Sequence, residues 1–197
     1  MKKYFSLLFI TIFFSLALAA QNLQVIVNYV TADPTIHKPL IYYSPAVKLN
    51  WGDFNAQPDL EDDAAAVTNA GIGFRMAFHS EGDVATLSVS VSCNFSKTDS
   101  WVKDNRRTAY ILNHEQHHFD IAYIQAMMFV QNLKNAKYTS KNFNTVIKKL
   151  YTDAQQSLVA MQTAYDTETK HSQLLEVQEL WNKKIDFQLD MIKKLKA

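Results

Sequence analysis

All four prolines (Pro34, Pro39, Pro45, Pro58) and all four glycines (Gly52, Gly71, Gly73, Gly82) of this 197-residue chain lie before residue 83. Without either residue the rest of the chain has few means of turning tightly, so two unlike halves are expected, turn-rich and then helical. In the first half, residues 23–30, 47–51 and 72–78 are short apolar or alternating runs bounded by turn residues, the pattern of strands. The clearest strand is 87–95, where Leu87, Val89, Val91, Cys93 and Phe95 alternate with Ser88, Ser90, Ser92 and Asn94. A period of two puts one set inward. Cys93, the only cysteine, forms no internal disulfide and is read as a buried small apolar group.

The second half divides into three helical stretches. The first is expected from Asp104 or Asn105, either of which can cap it, to about Ala136. A second, from about Ser140, carries Phe143, Val146, Ile147, Leu150, Ala154, Leu158 and Met161 along one stripe. A third, from near Ser172, carries Leu174, Val177, Trp181, Ile185, Leu189 and Ile192. Stripes at helical spacing are core faces. The expected fold is α+β: an N-terminal, mostly antiparallel β-sheet packed on a C-terminal bundle of about three helices.

Residues 1–20 read as an export signal, with Lys2 and Lys3 before an apolar run at 5–18 and the small-residue pattern Ala17-Leu18-Ala19 before cleavage after Ala19 or Ala20. The run is short of the roughly 20 residues that span a bilayer. A secreted or periplasmic protein follows, without stable membrane association once the signal is removed. Residues 21–197 are long enough for one domain with one core. Without Lys2 and Lys3, 18 basic residues face 19 acidic ones, a formal charge of −1. That balance favours neither nucleic acid nor anionic lipid.

His114-Glu115-Gln116-His117-His118 satisfies H-E-x-x-H in the middle of the first helical stretch. At roughly 100° per residue, His114 and His118 lie about 40° apart on one face, one turn from each other, so both imidazoles can reach one ion. Glu115 projects about 80° from the centre of that pair, where it can touch water without becoming a ligand. Zinc suits such donors, and a carboxylate beside it can serve as general base in hydrolysis. His117 lies off the pair on the other side and is read as a neighbour or supporting group. Asp120 points about 160° from His118 and cannot bind the same ion.

A catalytic zinc takes a third protein ligand and leaves a position for water. Of His37, His79 and His171, the last is the best candidate, because it ends the polar run 166–170 between the second and third stripes, where a junction can fold back across the first helix. Glu168 is the alternative. Asp166 can instead orient a ligating imidazole, and Tyr165 can donate to a developing oxyanion.

His114-Glu115-Gln116-x-His118-Phe119-Asp120-Ile121, with Ser100-Trp101-Val102 upstream, resembles a bacterial family of predicted secreted zinc-dependent proteases, a zincin-like domain of unknown function with an HEQ-x-HFD motif. Leu49-x-Trp51-x-Asp53-Phe54, Ala64-Ala65-Ala66-Val67-Thr68 and Tyr165-Asp166-x-Glu168-Thr169-x-His171, followed by Gln178 and Trp181, agree in order. The resemblance implies a zincin-like fold with the motif on the first long helix, a zinc-dependent peptidase acting on peptide or protein substrates, and His171 as third ligand. His117 and Ser172 stand where that family usually has glycine.

Two other functions use the same residues. Glu115-x-x-His118 and Glu168-x-x-His171 match the paired motif of di-iron carboxylate proteins, which needs two more helical glutamates that the strand-like half does not supply. A non-enzymatic zinc-binding or interaction module needs no carboxylate beside its ligands. If the protein is a peptidase, an extended substrate is expected to add to a sheet edge, with strand 87–95 as the candidate edge. The oligomeric state is left open.

Overall fold

The computed structural model describes residues 22–33, 35, 36 and 39–196. The export segment expected at 1–20, and His37, lie outside the described residues. Among the described residues six strands, β1 (Asn22–Tyr29), β2 (Leu40–Tyr42), β3 (Ala66–Val67), β4 (Ala70–Glu81), β5 (Val84–Ser96) and β6 (Trp101–Val102), precede three helices, α1 (Ala109–Asn135), α2 (Phe143–Thr169) and α3 (Leu175–Lys196). The fold is α+β, with the sheet in the N-terminal half and the helices after it.

β5 organises the main sheet. It pairs antiparallel with β4 along one edge, from Ala70↔Phe95 to Glu81↔Val84. Its other edge is shared end to end by β1, which runs parallel from Asn22↔Val84 to Tyr29↔Val91, and β2, antiparallel from Leu40↔Ser96 to Tyr42↔Asn94. The β4–β5 hairpin turns through Gly82 and Asp83, and Gly82 adopts φ 57, the left-handed value that a two-residue hairpin loop needs at its first position. The alternation read in the sequence puts Leu87, Val89, Val91, Cys93 and Phe95 in the core. Of the opposite face, Ser92 is buried as well. Because both edges of β5 are paired, it is the central strand and cannot serve as the substrate-binding edge expected of it.

α1 lies between this sheet and the other two helices, in contact with β1, β4 and β5 as well as α2 and α3. Every residue from His114 to Ala126 is buried, so its surroundings enclose it all round rather than along one stripe. Phe119 packs edge-on to Tyr43 at 4.9 Å, and Tyr43 stacks on Tyr123 at 4.1 Å. α2 buries Ile147, Ala154 and Leu158, and α3 buries Trp181 and Ile185, as their stripes require. Among the described residues no helix is long and apolar enough to cross a membrane.

Three boundaries differ from the sequence reading. Residues 47–51 are not a strand: the Asn50 side chain accepts from the Gly52 N–H and the Asp53 carboxylate from the Asn50 N–H, which closes a single 3-10 turn at Trp51–Asp53. α1 starts later than Asp104 or Asn105, which sit in a separate 3-10 turn. Thr108 is its cap, with Oγ1 accepting from the Ile111 N–H at 3.1 Å. α2 runs on through the polar segment to Thr169, so Asp166 and Glu168 are helical rather than part of a junction.

Candidate metal centre

His114 and His118 project from α1 towards α2, where Gln162 and Asp166 stand one turn apart in the same way. The facing pairs interlock. His118 Nδ1 is hydrogen-bonded to Gln162 Oε1, and Gln162 Nε2 donates back to the His118 carbonyl at 3.0 Å. His114 Nδ1 meets Gln178 Oε1 of α3 at 2.8 Å, while Gln178 Nε2 donates to the Tyr165 hydroxyl at 2.5 Å and to Asn182 Oδ1 at 2.8 Å. With the amide nitrogens committed elsewhere, each amide oxygen is the acceptor for its ring, so Nδ1 carries the hydrogen in both histidines.

That tautomer has a consequence. The Nε2 atoms of His114 and His118 lie 3.2 Å apart, and both approach Asp166 Oδ1, at 3.1 and 2.9 Å. Neutral rings would turn two lone pairs and a carboxylate oxygen on one another, an arrangement that requires a cation. Without a metal that cation is a proton. Burial works against charge on His118, but the hydrogen bond and charge of Asp166, the charge of Glu115 and the bond to Gln162 prevail and raise its pKa to about 9. Burial also disfavours the Asp166 carboxylate, yet hydrogen bonds from His114 and His118, with their charges, hold it well below the usual carboxylate range.

One ligand atom from each of His114, His118 and Asp166 lies within 4.8 Å of the others, the spacing of a group that could hold a metal ion. The group opens on a cleft of about 470 Å³, floored by α1, walled by α2 on one side and by residues 64–71 on the other. Glu115 lines the same cleft and is 3% exposed, and its Oε2 has no hydrogen-bond partner. An orphaned buried carboxylate oxygen costs free energy unless something in the cleft satisfies it. The residues therefore fit a metal with water or a substrate group beside it.

Sequence expectations for the other residues are met unevenly. The junction after α2 does fold back over α1: Tyr110 donates to the Ser172 carbonyl at 2.7 Å. It carries His171 to the mouth of the cleft, with its side chain 48% exposed and Nδ1 3.6 Å from Asp166 Oδ1. His171 is not one of the three residues of that group, whose third member is Asp166, expected instead to orient a ligand. The continued helix explains this, since it places Asp166 one turn beyond Gln162 on the face towards α1. Glu168 is turned to α3, accepting from Trp181 Nε1 at 2.8 Å, and is not brought into the group with His114 and His118. Tyr165 is fully buried beneath the site, stacked on the His114 ring at 4.5 Å, and its hydroxyl is held by Gln178 rather than turned to the cleft. It positions His114.

His117 supports the helix and not the metal group. Its Nδ1 lies 3.0 Å from Asp120 Oδ2, and Asp120 Oδ1 accepts from Tyr43 at 2.8 Å and Gln116 at 3.0 Å. Gln116 Oε1 in turn accepts from the Leu49 N–H, tying the loop before the first 3-10 turn to α1. Half of the sequence motif is therefore a buried polar brace. His79 is far from the group in the chain and pairs loosely with Glu81 on β4, at 3.8 Å. Gln162, which the sequence reading passed over, had one signal: it precedes Asp166 by four residues, the spacing of His114 and His118. Gln178 belongs to the segments shared with the resembling family, but no sequence pattern gives it a role.

Fold and site together define an α+β protein with a buried His–His–Asp group able to hold a metal ion at the floor of a cleft. The chain belongs to a family described as bacterial protein of unknown function (DUF922), whose model matches residues 47–172 and so includes the whole of that group. No curated protein and no solved structure matches it.

Proposed function

We propose that this is an exported zinc-dependent hydrolase, a peptidase, in which His114, His118 and Asp166 hold the metal and Glu115 is the general base. The observation that carries this reading is Glu115 Oε2, buried, without a partner, on the floor of the cleft that the metal group shares. Zinc suits two imidazoles and a carboxylate, and when bound it polarises a carbonyl and acidifies water.

The protein's own groups supply the rest. Gln178 and Gln162 fix the rings with Nε2 towards the metal position, and Tyr165 backs the His114 ring. Glu115 Oε2 accepts a proton from the attacking water and returns it to the leaving amine. His171, at the cleft mouth and held by no amide, is placed to assist from the solvent side or to join the ligands. Residues 64–68 line the cleft, and Ala66 and Val67 among them are paired to β6 along one side, which makes this segment, in place of β5, the edge on which an extended peptide would lie.

The test compares Glu115→Gln with His114→Ala for zinc content and peptide cleavage. The first is expected to keep zinc and lose hydrolysis, the second to lose both. Full cleavage by Glu115→Gln would remove the general base from the mechanism, and a purified protein carrying two irons and no zinc would overturn the metal assignment.

A further inference from the structure

α3 has two apolar faces and uses one. Trp181 and Ile185 are buried against α1 and α2, whereas Leu180 and Phe187 are each 66% exposed and Met191 is 45% exposed. At about 100° per residue these three fall within about 40° of arc, one continuous stripe, roughly 160° round the helix from Gln178 and the metal group it serves. A stripe of large apolar side chains at i, i+7 and i+11 is costly in water and is the mark of a contact face.

The charges beside the stripe say what covers it. Glu176, Lys183, Asp190 and Lys194 run along one flank, negative, positive, negative, positive. In a parallel pair each flank would meet the opposite flank of the partner, where Lys184 is the one charged residue, so the alternation would find no match. In an antiparallel pair the same flanks meet with the order reversed. An axis beside residue 186 brings Lys183 level with Asp190 of the second copy and Glu176 level with its Lys194, to within one or two residues, about 1.5 to 3 Å along the helix. The same register sets Leu180 against Met191 and Phe187 near its counterpart. Apolar and charged matches thus fall in one arrangement.

We propose that two copies of this chain associate through α3, antiparallel about a twofold axis near residue 186, leaving both clefts open on the far side. A contact of this kind is isologous, so each substitution acts twice.

The experiment is sedimentation equilibrium on the full chain over a wide concentration range, with Phe187→Glu, Glu176→Lys and the exchange Glu176→Lys/Lys194→Glu. All these positions are exposed, and circular dichroism confirms that each variant folds. The chain is expected to be a dimer, and Phe187→Glu to raise the dissociation constant by about 100-fold or more. Glu176→Lys is expected to weaken it about tenfold, and the exchange to restore it. A chain that stays monomeric throughout, or a dimer indifferent to Phe187→Glu, overturns the proposal. Failure of the exchange to restore association overturns the antiparallel arrangement.

Discussion

Binding a metal at His118 must expel a proton, and the structure sets the size of that penalty. In the metal-free protein His118 Nε2 donates to Asp166 Oδ1 at 2.9 Å, with its pKa raised to about 9. A metal needs the lone pair of that nitrogen. Below pH 9 the apparent affinity therefore falls by about tenfold per unit, so that at pH 7 it stands about 100-fold below its limiting value. Zinc titrations against a competing chelator indicator, from pH 6.5 to 10, should give a line of slope near one that flattens at about pH 9. Asp166→Asn provides the internal control. Removing the charge that raises His118 moves the inflection to lower pH, while the loss of a donor lowers the plateau. A pH-independent affinity across this range, or an inflection unmoved by Asp166→Asn, would refute the reasoning.

Three further outcomes follow from the same geometry. The metal-free protein should lose stability as pH rises: His118 has a folded pKa above its ordinary value of 6.5, so its contribution is complete below about 6.5 and disappears through about 9, a loss that thermal melts would show and bound zinc would abolish. Gln178→Leu leaves His114 Nδ1–H without its acceptor and removes the donor to the Tyr165 hydroxyl, and should weaken zinc binding by about 10- to 100-fold, measured by the same competition. Ser172→Gly should raise stability by about 0.5 to 1 kcal/mol in denaturant unfolding, because Ser172 adopts φ 68 and its contacts with Thr169 and Tyr110 use the backbone.

The motif helix and the central strand were legible because each carries its own period. H-E-x-x-H brings two rings together by helical geometry alone, and the alternation at 87–95 specifies one buried face whatever the neighbours are. The third member of the group, Asp166, was hidden because its placement depends on where α2 stops. Residues 166–170 are polar, carry no glycine, and read as a junction, yet the helix continues to Thr169 and is then reversed by three successive left-handed residues, Lys170, His171 and Ser172. No sequence signal marks that reversal, since none of the three is glycine. Residues 47–51 misled for the opposite reason: Val47, Leu49 and Trp51 alternate like a strand, but the Asn50–Asp53 pair closes a turn locally. Whether β5 keeps a free edge is a matter of topology: β4 covers one edge, and β1 and β2, from elsewhere in the chain, cover the other.

The enclosure of α1 on every side bears on how the metal comes and goes. An ion held by a surface loop can escape when that loop frays; here two of the proposed donors sit on the one element that cannot loosen without dismantling the sheet and both neighbouring helices. Amide hydrogens from His114 to Ala126 should then exchange with solvent only through whole-molecule opening, and occupancy of the site should slow that exchange across the entire segment together.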